Sequence, residues 1–371
     1  MKKELFNGKR LKIARVYRGK TIDQVSKETN INKKDILAFE ENKYKPTVEN
    51  SLKLSNVLNF PREYFYKNEN LKITVDAVHF NPQSTIQRNE EISYREKLIM
   101  IHKLYSFFEN YIQFPELDLP SNLNKNFSME ELAIKCREYY GVENEPIINM
   151  VSFMESIGVA ITAMNVERRG ASPYSQKQST NNNFKYIVSL GHDKNSLAVR
   201  NYDLAYEFAF LISNELRIPA KKFNKDDFAS AFLLPEESFR QALINSNELN
   251  DYIEVKSKFM VPISIVIYRA YSLGIINYKK YNYLMNELMK KGWHKEEPLD
   301  NVRATSPTSL KKAYNLLLEN NIISKNTLIE KLYNEGMILF PKDIEILMGL
   351  KEGTLQNKND VKVIDFKNKR K

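Results

Sequence analysis

Over residues 1–66 the apolar positions recur at helical spacing in four short runs separated by capping and turn residues. Leu11 and Ala14 begin an amphipathic helix that stops at Arg18-Gly19-Lys20, where a glycine takes positive φ cheaply. Thr21 caps a second helix, with Gln24 three residues on completing a capping box and Val25 supplying its apolar side. Thr29-Asn30-Ile31-Asn32 then forms a tight turn. Asn32 caps a third helix over 33–40, with Ile36 and Phe39 on its buried side. Tyr44-Lys45-Pro46 ends it, and Thr47 caps a fourth helix carrying Leu52, Leu54, Val57 and Leu58. Phe60-Pro61 and Tyr64-Phe65 close a small all-α bundle.

Residues 67–88 are polar and broken by Asn81-Pro82, the pattern of a connector. A long helix is predicted over 90–112, with Leu98, Ile101, Leu104, Tyr105 and Phe108 at helical spacing. Phe114 to Pro120 breaks it. Ser128, with Glu131 at the third position, opens another helix that Gly141 ends, and 147–156 is helical again. Two short strand-like runs follow, 159–162 and 186–190, with a polar loop over 168–183 between them. Beyond them come helices over 200–211, 227–234, 239–247, 261–270 and 278–291, then two or three short ones over 309–320, 324–334 and 341–350. The Lys- and Asn-rich tail, 356–371, is expected to be flexible. The fold class is mainly α, with an α+β middle region built on a small sheet. The predicted boundaries are 1–66, 67–125, 126–298, 299–355 and 356–371.

The formal net charge of +10 favours a polyanionic partner, because Lys and Arg displace counterions from phosphates. In the first twenty residues Lys2, Lys3, Lys9, Arg10, Lys12, Arg15, Arg18 and Lys20 stand against Glu4 alone. One cysteine, Cys136, excludes a disulfide within the chain and any cysteine-based zinc site. No apolar run approaches a membrane span, and no signal core follows Met1, so a cytoplasmic location without membrane contact is expected. Abundant Lys, Asn, Ile and Tyr point to AT-rich bacterial or phage coding. Glycine-rich phosphate loops and nucleophile elbows are absent from the sequence, and no cofactor is expected.

The N-terminal spacing, carried by Arg10-Leu11, Thr21, Val25-Ser26, Asn30-Ile31-Asn32, Ile36, Glu40, Pro46 and Leu54, resembles the XRE (Cro/repressor-like) helix-turn-helix family. The resemblance implies that the third helix enters the major groove of double-stranded DNA while the second crosses the backbone. Base contact then falls to Asn32, Lys33, Lys34 and Asp35, with Leu37 and Ala38 as apolar contacts. Gln24 belongs to the same DNA-binding set, and Lys43 and Lys45 would meet phosphates. Ile22 departs from the family, which often has Gln after the cap of the second helix, and removes one polar contact.

The run Arg200-Asn201-Tyr202-Asp203-Leu204-Ala205-Tyr206-Glu207-Phe208-Ala209-Phe210-Leu211, followed by Asp227 to Phe239, resembles the ImmA/IrrE metallopeptidase family. A zincin helix needs two imidazoles four residues apart, with the glutamate beside the first as general base for the metal-bound water. Tyr206 and Phe210 stand at the two histidine positions. Glu207 keeps the base position, and the third ligand position falls on about Asn224. This set cannot hold zinc, so the resemblance implies a metal-free pseudo-peptidase rather than an enzyme. Of His79, His102, His192 and His294, only His192 lies near the motif.

These features lead to the expectation of a sequence-specific regulator, a repressor of a mobile-element or phage-like operon. It would act as a homodimer paired through helix 90–112 or the C-terminal helices. An inducer or anti-repressor protein, or a small ligand, would enter an aromatic pocket at Tyr206, Glu207, Phe210 and Asn224 under the loop 168–183. The rivals are a repressor-cleaving peptidase, for which the ligands are missing, and an antitoxin or immunity factor that autoregulates its operon.

Overall fold

The computed structural model describes residues 5–67, 73–76, 79–80, 88–164, 174–180, 184–191, 196–219 and 221–356. Four helices open the chain: α1 (Gly8–Tyr17), α2 (Ile22–Thr29), α3 (Lys33–Glu40) and α4 (Val48–Leu58), closed by a 3-10 turn at Arg62–Tyr66. The sequence signals hold locally. Thr21 and Gln24 form the reciprocal capping box, and Asn32 and Thr47 accept from the backbone amides of Lys34 and Asn50. Gly19 has φ +66°. Gly8 is required by a close approach, because a Cβ there would come within 2.0 Å of the Phe39 carbonyl oxygen. Leu52, expected in the core, is 48% exposed; the inward stripe of α4 is instead Ser51, Leu54, Ser55 and Leu58.

After β1 (Thr74–Val75) and β2 (His79–Phe80) comes the long helix α5 (Arg88–Glu109). Next are α6 (Met129–Tyr139), α7 (Met150–Ser156), β3 (Ala160–Met164), β4 (Tyr174–Ser179) and β5 (Phe184–Gly191). The remainder is helical: α8 (Leu197–Glu215), α9 (Lys225–Leu233), α10 (Glu236–Ala242), α11 (Asp251–Phe259), α12 (Ile263–Ser272), α13 (Tyr278–Lys290), α14 (Ser309–Glu319), α15 (Lys325–Asn334) and α16 (Pro341–Leu347). The mainly α fold with a small mixed sheet is as expected. Among the described residues, no helix is long and apolar enough to cross a membrane.

The sheet has the order β1-β4-β5-β3, with β2 also on β4. β3 and β5 are parallel, Ala160 facing Ile187; β4 and β5 are antiparallel, Tyr174 facing Ser189. Two strand-bearing regions differ from expectation. The connector 67–88 contributes β1 and β2. The supposed loop 168–183 contributes β4, the strand to which three others pair; residues 165–173 and 181–183 lie outside the described residues. β4 was hidden because its inward residues are polar and satisfy one another. His102 Nδ1 meets Gln178 Oε1 at 3.1 Å, Gln178 donates to Gln176 at 2.9 Å, and Gln176 donates to the Asp76 carbonyl.

Strand alternation makes the sheet a partition between two cores. On one face Ile161, Tyr186, Val188 and Leu190 pack with α6 to α13. On the other, Ala160, Tyr174 and Ile187 pack with α5, the N-terminal bundle and α14 to α16 in one continuous cluster. The long helix and the C-terminal helices therefore share a core with residues 1–66 rather than standing apart as linker and appendage. The burial of Leu98, Ile101, Leu104 and Phe108 removes this apolar stripe of α5 as a dimer surface. Ser93 in α5 donates to the Tyr17 carbonyl, Arg10 donates to Gly336, and Arg18 holds Asp343 of α16 at 2.8 and 3.2 Å. Glu155 bridges the two halves by accepting from the backbone amides of Thr308 and Ser309 at the start of α14.

Candidate functional site

The N-terminal module is assembled around one ion pair. Arg15 in α1 grips Glu40 at the end of α3 with two bonds, 2.6 and 3.0 Å, and also donates to the Lys20 carbonyl. This fixes α3 across the bundle, with Ile36 and Phe39 inward. The turn before α3 puts Asn30 in the left-handed region, φ 58°, which asparagine tolerates.

The outward face of α3 opens with Asn32, Lys33 and Lys34, all exposed, and Asp35, half-buried. Asn32 spends its side-chain oxygen on the Lys34 amide, so its free amide nitrogen is what a base would meet. Lys33 pairs with Asp23 of α2 at 2.7 Å in the open. Asp35 accepts from the Tyr44 hydroxyl at 2.5 Å, an interaction that raises the Tyr44 pKa. Leu37 is 45% exposed, whereas Ala38 is 7% exposed. Ala38 therefore faces the bundle and cannot act as a base contact. Gln24 is exposed, but its side-chain oxygen accepts from the Thr21 amide, so it serves first as the cap of α2. Lys43 and Lys45 are both exposed beyond α3. Lys43 pairs with Glu41 at 2.6 Å, and among the described residues neither Lys34 nor Lys45 is in an ion pair.

Much of the basic surplus of the first twenty residues is spent inside the fold rather than facing DNA. Arg10 is buried and donates to the Tyr64 and Gly336 carbonyls. Arg15 is committed to Glu40, Arg18 to Asp343, and Lys20 to Glu28. Lys9 and Lys12 stay exposed. The cations left for phosphates are chiefly those around α3 and the turn after it.

The second site lies where α8 passes between the sheet and α9. Glu207 is 1% exposed and points at the sheet, accepting from Ser175 Oγ of β4 at 2.6 Å. Ser175 has one hydrogen, so the Tyr186 hydroxyl 3.0 Å away donates to it, and burial beside Glu207 raises the Tyr186 pKa far above its usual value. Tyr206 is buried and Phe210 half-buried, one turn apart on α8. The pocket expected between them is filled by the chain itself: Lys225 places its ammonium 5.3 Å from each ring centroid. Asn224 caps α9, its oxygen accepting from the amides of Asp226 and Asp227.

These residues do not fit the zinc ion that the motif's position implies. Phe210 has no donor atom, the Asn224 oxygen is spent on its own helix, and the Glu207 carboxylate is turned to Ser175. The lid expected at 168–183 is replaced by β4, so Ser175 forms part of the site's wall. His192 lies outside the described residues. His102 is buried in α5, remote from the motif in the chain. Ser175 and Lys225 were missed by sequence reasoning, since each acquires its partner only when separate elements meet.

Residues 8–71 match the family model of an XRE-type helix-turn-helix domain, which places DNA binding in this module. No curated protein matches the chain. The N-terminal module is thus that of a DNA-binding regulator, and the described residues beyond the matched segment form a helical and mixed-sheet body.

Proposed function

We propose that this chain is a sequence-specific repressor of a mobile-element or phage-like operon. Its middle region is a metal-free pseudo-peptidase that senses an inducer and has no catalytic role. The observation carrying the first part is the outward face of α3: Asn32, Lys33, Lys34 and Leu37 project from a helix locked by Arg15 and Glu40 within a helix-turn-helix module. Lysines at the start of a groove-entering helix can donate to guanine O6 and N7, and Leu37 can meet a thymine methyl. Lys43 and Lys45 supply the phosphate contacts that set register without reading sequence.

A single short helix reads few base pairs, so specificity on a genome favours a homodimer on two half-sites. With the apolar stripe of α5 buried, the C-terminal helices remain for pairing, where Leu316 and Ile322 are exposed. Control through the middle region rests on the shared sheet. An event at α8 reaches β4 through Glu207 and Ser175, and the opposite face of β4 supports α5 beneath the DNA-binding bundle.

Footprinting on the DNA upstream of the protein's own reading frame tests this. Protection of a two-fold-related site by the wild-type chain, lost in the Lys33→Ala, Lys34→Ala double variant, is expected. Equal protection by both would remove α3 as the reader.

A further inference from the structure

The hairpin of α12 and α13 carries an aromatic surface that the fold does not use up. Gly274, φ +67°, turns the chain between the two helices, and Asn277 caps α13 by accepting from the Lys280 amide. Leu284 and Leu288 seat α13 on the core that lies across the sheet from the DNA-binding bundle. Three tyrosines then cluster at the tip. Ring centroids are 5.1 Å apart for Tyr271 and Tyr281, 6.0 Å for Tyr271 and Tyr278, and 6.4 Å for the stacked pair Tyr278 and Tyr281. Holding a hairpin together takes one side of each ring. Yet Tyr278 is 63% exposed, and Tyr283, outside the cluster, is 53% exposed.

The rings are interleaved with cations. Over 271–295 five lysines stand against Glu287 alone, and Glu287 is taken by Lys290 at 2.8 Å. Lys280 and Lys291 lie over Tyr283 and Trp293, each 4.9 Å from the ring centroid, and bond only to the neutral oxygens of Asn247 and Asn250. Lys279 and Lys295 are exposed and, among the described residues, in no ion pair. Asp251 of α11 is spent on the amides of Asn247 and Glu248. Helical geometry puts Lys279 between Tyr278 and Tyr283 on the outward side of α13.

We propose that this side of α13 binds single-stranded DNA, with bases stacked on Tyr278 and Tyr283 and phosphates on Lys279 and Lys280. Open aromatic faces set among cations suit a strand whose bases are unstacked. A duplex hides its base faces and would leave the rings unused. A second copy of the chain would bring like charge to like charge. DNA rather than RNA follows from the N-terminal module, which takes the chain to DNA. The proposal does not rest on the repressor reading.

A fluorescein-labelled oligothymidylate of about twelve nucleotides, within the range of single-strand sites, tests it by anisotropy on the full chain. The wild type should bind saturably. The Tyr278→Ala, Tyr283→Ala variant should bind about a hundredfold more weakly, roughly tenfold for each lost stack. The Tyr278→Phe, Tyr283→Phe variant should bind like the wild type, because a phenyl ring keeps the face. Lys279→Ala with Lys280→Ala should lower the salt slope by about 1.4, roughly 0.7 for each phosphate contact on a single strand. Lys33→Ala with Lys34→Ala should leave this binding whole, which separates the surface from α3. Circular dichroism checks that each variant folds. No saturable binding by the wild type, wild-type affinity in the folded tyrosine-to-alanine variant, or equal affinity for an abasic strand of the same length overturns the proposal. So does tighter binding of oligouridylate, which gives the surface to RNA, or loss of self-association in place of strand binding, which gives it to a second copy.

Discussion

The face of α3 and the motif of α8 are both polar insertions on amphipathic helices, but they point opposite ways. Lys33 and Lys34 project into solvent from a helix whose inner side is held by Arg15 and Glu40. Glu207 points inward to Ser175, and the rings beside it are covered by Lys225. A polar group left in water keeps its hydration and stays available for a partner. A polar group taken inside must find a partner within the fold, or it costs the protein stability. The first arrangement suits reading a surface; the second suits a site whose access depends on something giving way.

The largest expected effect comes from removing the anchor that turns α3 outward. Arg15→Ala leaves the nearly buried Glu40 carboxylate uncompensated and should cost about 3 kcal/mol in urea unfolding, with operator binding lost alongside. A stable variant that still binds DNA would show that the ion pair does not position α3. Acid offers a second handle on the same support. Burial, with Lys185 nearby, holds the His102 pKa down to about 4, against an ordinary value of 6.5, while its bond to Gln178 and the charge of Glu109 act the other way. The unfolded chain therefore takes up this proton first. The stability tied to His102 should be full above pH 6.5, fall as pH drops towards 4, and level off below. The total is on the order of 3 kcal/mol, and the slope should be absent in His102→Gln.

Smaller effects separate reading from holding. Lys34→Ala should weaken operator binding by about 1–3 kcal/mol if the side chain reads guanine, and relax preference at that position. Lys45→Ala should weaken all sequences alike and lower the salt slope by about one. Glu207→Gln keeps a hydrogen-bond acceptor for Ser175 and should cost only about 1 kcal/mol in stability while leaving DNA affinity unchanged. A large loss of DNA affinity in Glu207→Gln would erase the contrast between the two sites.

The N-terminal bundle was legible in the sequence because its determinants are local. The Thr21–Gln24 box, the Asn32 and Thr47 caps and the Gly19 turn act within a few residues of themselves. Ala38 and Leu52 were misplaced by about a residue's worth of helix rotation, which decides the side a residue faces. β4 was not legible, since Tyr174–Ser179 carries serine, glutamine and lysine where a central strand usually alternates with apolar residues. Only the meeting with His102, Tyr186 and Glu207 makes that pattern foldable. Helix α11 escaped because asparagines and serines crowd the stretch before it. The role of α5 as part of the DNA-binding body needed the sheet's other face. Lys225 needed α9 to arrive beside α8.

The central claim is that α3 reads base sequence, and selection from a random duplex pool at physiological salt tests it without knowing the operator. The full wild-type chain should enrich a discrete motif, and Lys34→Ala should enrich one with a relaxed position while retaining overall affinity within a few tenfold. A pool that stays unenriched by the wild type, or the same motif with the same sharpness from the Lys33→Ala, Lys34→Ala double variant, would contradict the account.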